Sequence, residues 1–291
     1  MPIDPDQLLA LDLPEIVHSY SVKDTILYAL GIGVGQDPLD ERQLAFVHED
    51  GLRALPTMVC VLANPPFWIR DHAKGVDWLK VVHGEQAIHL YRGLPPSGTI
   101  VAKLRVRDVI DKGQGKGALI VSERTLSDAA TGEAIANVRH TAFCRGDGGF
   151  SGKARKGDAG HAMPKRTPDL VCDLATRPET ALLYRLNGDL NPLHAVPSHA
   201  RDAGYEKPIL HGLATFGIAG HAILSAIGAY NPDRIVAMQG RFSAPVYPGE
   251  TVRTEMWQEG QIVSFRSRTV ERDAIVISNG RVELRDGEGT R

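Results

Sequence analysis

Thr180-Ala-Leu-Leu-Tyr-Arg-Leu-Asn-Gly-Asp-Leu-Asn-Pro-Leu-His194 has an echo early in the same chain, Thr25-Ile-Leu-Tyr-Ala-Leu-Gly-Ile-Gly-Val-Gly-Gln-Asp-Pro-Leu-Asp40. Each opens on a helix-like apolar period and then meets glycine and proline, which break a plain helix. Two more pairs follow in the same order. Leu55-Pro-Thr-Met-Val-Cys-Val-Leu62 stands where the second half has Leu213-Ala-Thr-Phe-Gly-Ile-Ala219, and Pro96-Ser-Gly-Thr-Ile-Val101 parallels Pro248-Gly-Glu-Thr-Val252. Strand-like runs come next, at 100–110, 118–126 and 134–143 in the first half and at 251–258, 262–270 and 274–284 in the second. Most alternate imperfectly between apolar and polar residues, as half-buried antiparallel strands do. Asp111-Lys-Gly-Gln-Gly-Lys-Gly117 and Asp128-Ala-Ala-Thr-Gly132 read as the turns between them. Residues 212–230 hold the clearest helical period, with Gly and Ala that let a sheet pack closely. The chain therefore reads as α+β, a fused duplicate in which each half sets one central helix against a curled antiparallel sheet.

The stretch 146–170 is rich in Gly, Lys, Asp and Pro and has almost no apolar period, so it reads as a linker. The expected units are 1–148, a linker at 149–170, and 171–291. With 43% hydrophobic and 23% charged residues, the 291-residue chain can build a sizeable core. A net charge of −2 gives no reason to expect nucleic acid or an anionic membrane as partner, so local cations must hold any anionic ligand. Cys60, Cys144 and Cys172 are odd in number and lack CxxC spacing, which fits reduced thiols better than disulfides or zinc. No run approaches the ~20 apolar residues of a membrane span. The first residues lack the pattern of a signal peptide, and Gly289-Thr-Arg291 is not a Ser-Lys-Leu address. A cytoplasmic location is the expectation.

Asp189, Asn191 and His194 fall within six residues of one another. A carboxylate and an imidazole on one rigid loop make an acid/base pair. Gly212 follows Pro208-Ile-Leu-His211 and opens the helix, offering a backbone N–H to developing negative charge. Such parts suit adding water to, or removing it from, a carbonyl-activated double bond. Alone, an Asp in a Gly-Asp-x-Asn turn is usually a turn former; the conjunction with Pro192, His194 and Gly212 favours chemistry. His211 reads as structural, setting the helix start. The first copy keeps Tyr28 and Asp37-Pro-Leu39 but has Asp40 in place of the histidine, and reads as a copy that has lost the chemistry. Gly31-Ile-Gly-Val-Gly35 follows a helix-like segment and lacks a third glycine at the spacing of a dinucleotide loop. Gly113-Gln-Gly-Lys-Gly117 lacks the Ser or Thr of a P-loop. The eleven histidines form no HExxH pattern, so no metal is expected.

Gly188-Asp-Leu-Asn-Pro-Leu-His194 followed by Pro208-Ile-Leu-His-Gly212 resembles the hydratase 2 motif of MaoC-like (R)-specific 2-enoyl-CoA hydratases. YALGIGVG, LPT, HGEQ, LPPSG, DKGQGKGALI and RGDGGFSGK in the first half are similar to two-domain members of that family. The resemblance implies a double hot dog fold and reversible hydration of trans-2-enoyl-CoA to (3R)-3-hydroxyacyl-CoA. It further implies a homodimer, an acyl-CoA partner, and no metal or redox cofactor. It assigns Asp189 and His194 to water, Asn191 to their support and the Gly212 N–H to the thioester oxygen. His83, Gly84, Lys112 and Phe242 match positions lining the acyl-CoA site. Arg241, next to Phe242 on an expected strand, faces either phosphate or solvent. Two residues depart from the pattern: Asn187 stands where Ser, Thr or Cys is usual, and Val82 where Leu is common. The alternatives are a hot-dog acyl-CoA thioesterase and a non-catalytic acyl-CoA-binding module. Loss of the first site also implies room there for a long or bulky acyl chain.

Overall fold

A computed structural model describes residues 2–65 and 67–285. The C-terminal Gly289-Thr-Arg291 lies outside the described residues. Ten strands form one sheet: β1 (Ile16–Tyr20), β2 (Val81–Leu90), β3 (Gly98–Asp111), β4 (Ala118–Asp128), β5 (Ala134–Cys144), β6 (Leu170–Ala175), β7 (Ile235–Phe242), β8 (Thr251–Glu259), β9 (Ile262–Thr269) and β10 (Ile275–Leu284). The helices are α1 (Pro5–Leu9), α2 (Val22–Gly31), α3 (Leu44–Val47), α4 (Trp68–His72), α5 (Thr180–Tyr184), α6 (Pro197–Asp202) and α7 (Gly212–Ala226). Among the described residues no helix is long and apolar enough to cross a membrane.

The strand order is β1-β3-β4-β5-β2-β7-β10-β9-β8-β6, and every pairing is antiparallel. Read outward from the centre, the first half runs β2-β5-β4-β3-β1 and the second β7-β10-β9-β8-β6. These are the same topology, strand for strand, so the duplication read in the sequence is a duplication of architecture. Equivalent strands meet at the seam, where Gln86 pairs with Gly240 and Ile88 with Met238. Equivalent helices meet beside it: Tyr28 of α2 and Tyr184 of α5 lie with ring centroids 6.1 Å apart.

The six strand runs expected from alternation are β3, β4, β5, β8, β9 and β10. Their turns follow local chemistry. Asp128 accepts from the Ala130 and Thr131 N–H groups, and Gly132 takes φ 74°, closing the β4–β5 hairpin.

One part of the expectation is corrected. The long central helix occurs once, as α7, and its counterpart in the first half is a 3₁₀ turn, Pro56–Cys60. Pro56 starts that turn, while Ala63 at φ 45° and the following Asn64-Pro65 end it, so no second helix can extend there. The helix α7 is then shared by both halves. Residues Ala214 through Leu224 are all buried, and two of its glycines receive the first half. A Cβ at Gly217 would stand 2.7 Å from Ile32 Cγ2 and 2.9 Å from Tyr28 Oη, and one at Gly220 would stand 2.8 Å from Thr57 Cγ2. The helix also ends earlier than its apolar period, because Ala229 and Tyr230 turn to positive φ.

No helix or strand occupies 149–169, yet that segment is fastened to both halves. Asp111 at the end of β3 accepts from the Gly149 and Ser151 N–H groups and the Ser151 hydroxyl at 2.7–2.8 Å. Asn279 Nδ2 donates to the His161 carbonyl at 2.9 Å, and Trp257 Nε1 to that of Arg166 at 2.8 Å.

Gly217→Val would drive its side chain into Ile32 and Tyr28. Overpacking of this kind costs about 1–3 kcal/mol. The expected result is a lower urea midpoint with an unchanged m-value; an unchanged midpoint would show that the helix can move away from the first half.

Candidate active site

The loop after α5 is built by short-range hydrogen bonds. Asn187, the departure from the family pattern, donates its amide to the Tyr184 carbonyl at 2.9 Å and finishes the helical turn. Gly188 then takes φ 108°, a left-handed step that a side chain resists, and the chain reverses. Asp189 Oδ1 accepts from the Asn191 N–H at 3.2 Å. Asn191 Oδ1 accepts from the Leu193 N–H at 3.0 Å and caps the 3₁₀ turn Pro192–His194. Asp189 is left exposed while His194 is carried inward, 8% exposed.

The His194 tautomer follows from its partner. Nδ1 lies 2.8 Å from the Ile209 carbonyl, which can only accept, so Nδ1 carries the proton and neutral Nε2 offers a lone pair. His211 is fixed the same way, its Nε2 donating to the Asp189 carbonyl at 3.2 Å. Its ring stacks on His194 with centroids 3.7 Å apart and planes at 26°, and it lies 5.0 Å from the Tyr184 ring. His211 precedes Gly212 as the cap of α7. One side chain therefore holds the loop, the imidazole of His194 and the helix start in a single arrangement.

Burial pushes the His194 imidazole below its ordinary range, opposed by the Ile209 hydrogen bond and the Asp189 charge. Burial and the neighbouring His194 push His211 down to about 4. Asp189, His194 and His211 each bring one ligand-type atom within 4.8 Å of the others.

The other expected residues form a line leading away from Gly212. A Cβ at Gly212 would meet the Phe242 ring at 3.5 Å, an ordinary contact, so protein packing does not itself demand glycine there. Phe242 lies 4.6 Å from His83, ring to ring. Gly84 sits at the bulge of β2, where an added Cβ would be 3.5 Å from Phe143 Cβ. Lys112 Nζ stands 4.9 Å from the centroid of the Phe143 ring. The β2–β7 pairing runs only from Glu85 to His89, so the seam opens where His83, Gly84 and Phe242 stand. Val82, the second departure, pairs with Phe143 across β2 and β5.

Arg241, partly exposed, forms an ion pair with Glu85 across the seam and donates to the Asp158 carbonyl. In the first copy, Asp40 accepts from Arg42 and Gln43 and caps a 3₁₀ turn, and Arg42 pulls its carboxyl down to about 2. Sequence reasoning passed over Phe143, His140 and Arg124. Arg124 had a signal: in Ala118, Ile120, Ser122, Arg124, Leu126 it falls on the buried phase of β4.

Residues 18–146 match the family model of the MFE-2 hydratase 2 N-terminal domain, and residues 160–280 that of the MaoC like domain. A protein of Arabidopsis thaliana named enoyl-CoA hydratase 2, peroxisomal, is 38% identical, the match covering 96% of this chain and 95% of that one. The chain belongs to the MaoC-like hydratase 2 family. Another member, the 3-hydroxyacyl-thioester dehydratase Y of Mycobacterium tuberculosis, is 36% identical over 97% of this chain and 99% of its own length. The crystal structure of a MaoC-like dehydratase from Phytophthora capsici superposes with a TM-score of 0.87 at 32% identity, covering 99% of this chain and 100% of that one. The double hot dog fold expected from the motifs is the fold of this family, with the first-half helix reduced as described.

The buried imidazoles generate a stability prediction. His140, His211 and His221 are pushed from 6.5 down to about 4 by burial, and His83 is lowered well below 6.5 by the same cause. In the unfolded chain these rings take up protons near 6.5, whereas the folded ones stay neutral to about 4. Between those values the unfolded state binds more protons, so stability falls as pH falls. Each ring contributes up to about 1.4 kcal/mol per pH unit in that window. Urea unfolding from pH 7 to pH 4 should show the steep loss; a flat profile would mean the rings are hydrated and charged in the fold.

Proposed function

We propose that this chain catalyses the reversible syn hydration of trans-2-enoyl-CoA to (3R)-3-hydroxyacyl-CoA. It is a hydro-lyase by family. The observation that carries it is the fixed tautomer of His194, which leaves its Nε2 lone pair free, in a cluster where ligand-type atoms of Asp189, His194 and His211 lie within 4.8 Å of one another. A water held between the Asp189 carboxylate and His194 Nε2 loses one proton to that pair as its oxygen bonds to C3. Electron density moves to the thioester oxygen, which the Gly212 N–H at the helix N-terminus receives. C2 then regains a proton from the same pair on the same face, so both groups end as they began. The sum is addition of one water, and this proton chemistry calls on no metal and no redox cofactor. Asn191 keeps the loop in register for it.

In this reading the thioester lies against Phe242 and His83 at the open end of the seam. Gly84 keeps the passage narrow but free, and Lys112 offers the cation for the CoA phosphates. The first half, with Asp40 committed to its own cap and a 3₁₀ turn in place of a helix, accommodates the acyl chain.

Asp189→Asn and His194→Ala should each lower kcat/KM for crotonyl-CoA and longer enoyl-CoAs by about 10²–10⁴-fold while the fold persists. Loss of conjugated-enoyl absorbance without free thiol, with the 3R product on chiral analysis, is the expected wild-type result. Release of thiol would instead favour a thioesterase. Binding without turnover would favour a carrier module, and wild-type rates in either variant would overturn the residue roles.

A further inference from the structure

The concave face of the first half has two apolar clusters that do not merge. One contains Leu126, Ala136 and Val138; the other contains Val106, Ile120 and Ala142. Between them runs a polar belt. Ser122 of β4 pairs with His140 of β5, and His140 pairs with Gln86 of β2. Arg124 follows Ser122 on the same face, and the His83 ring lies 4.2 Å from that of His140. A seam residue, Gly240, continues the row into the second half.

Arg124 is the unusual member. It is 5% exposed, and its Nη2 donates to the Cys60 carbonyl at 2.5 Å, in the 3₁₀ turn that replaces the missing helix. Among the described residues its Nε has no hydrogen-bond partner, and no carboxylate forms an ion pair with it. Burial pushes its guanidinium down to about 10, so it stays charged at neutral pH. A buried, charged group without a counter-ion is costly to keep. Its neighbours cannot compensate: His83 and His140 are held neutral chiefly by burial. Both histidines, though largely buried, keep part of their surface accessible, so the belt is not sealed. The belt abuts the reacting centre: the His83 ring lies 4.6 Å from that of Phe242, which stands 3.5 Å from where a Cβ on Gly212 would be.

We propose that this belt is a subsite for the far end of the acyl group, and that Arg124 there receives a carboxylate. The favoured substrates would then be enoyl-CoA thioesters of dicarboxylic acids whose chain spans from Gly212 to Arg124. A carboxylate supplies the missing counter-ion and accepts from a guanidinium that is already desolvated, while the neutral histidines and Ser122 offer further hydrogen bonds. A methyl end would leave the charge unpaired.

This inference rests on the hydratase reading, and the test separates the two. Wild type, Arg124→Met and Arg124→Lys are assayed with two length series of trans-2-enoyl-CoA, one ending in methyl and one in carboxylate. In wild type the ratio of kcat/KM, carboxylate over methyl, should peak above one at the length that reaches Arg124. In Arg124→Met the ratio at that length should fall by about 10- to 100-fold, as loss of a hydrogen bond to a charged group implies. Arg124→Lys should recover part of it. A wild-type ratio that never exceeds one overturns the proposal even if Arg124→Met does not fold, and so does an equal fall of both series in that variant. Failure of every enoyl-CoA to turn over would instead overturn the hydratase reading beneath it.

Discussion

Antiparallel pairing of β2 with β7 is the contact that makes one molecule of two copies. It joins two five-stranded sheets of equal topology and brings the tilted rings of Tyr28 and Tyr184 together beside a shared helix. Because the pairing stops at Glu85 and Arg241, the same contact that closes the sheet also defines where it opens. The Glu85–Arg241 ion pair, about a third exposed on each side, marks that boundary and adds little energy of its own. The aromatic and imidazole rings that line the opening come from both copies. A site facing this gap could not be made by either half alone.

Much of this was legible in the residues. The alternating runs announced six strands because those strands keep one wet face and one dry face. The others gave less away. β6, at the sheet edge, has no buried residue, and β2 is paired on both sides and broken by a bulge at Gly84, so neither shows a clean period. The Gly-Asp-x-Asn-Pro-x-His loop was readable because its geometry is local: each of Asn187, Asp189 and Asn191 bonds within three residues. The role of His211 in stacking on His194 was not readable, since the two sit on different elements and meet only after α7 docks. Nor was the loss of the first-half helix, which follows from one helix serving two sheets.

Water exclusion sets the electrostatics of the interior. The imidazoles of His83, His140, His194 and His211 are pushed toward the neutral form mainly by burial, and two backbone carbonyls choose which nitrogen of His194 and His211 carries the proton. Charge is thus kept at the exposed Asp189 and at Arg124. The first copy shows the contrasting case. Asp40, equivalent in the repeat to His194, is paired with Arg42 and serves as a cap.

The fastening of 149–169 by Asp111 has a further consequence. A covalent, well-anchored tether makes the meeting of the two copies an event within one chain, independent of protein concentration. A pair of identical chains must keep both sites intact, because one gene writes both. A tethered pair escapes that symmetry. Each half can drift toward its own task, provided that the surfaces on α7 and along the seam continue to fit.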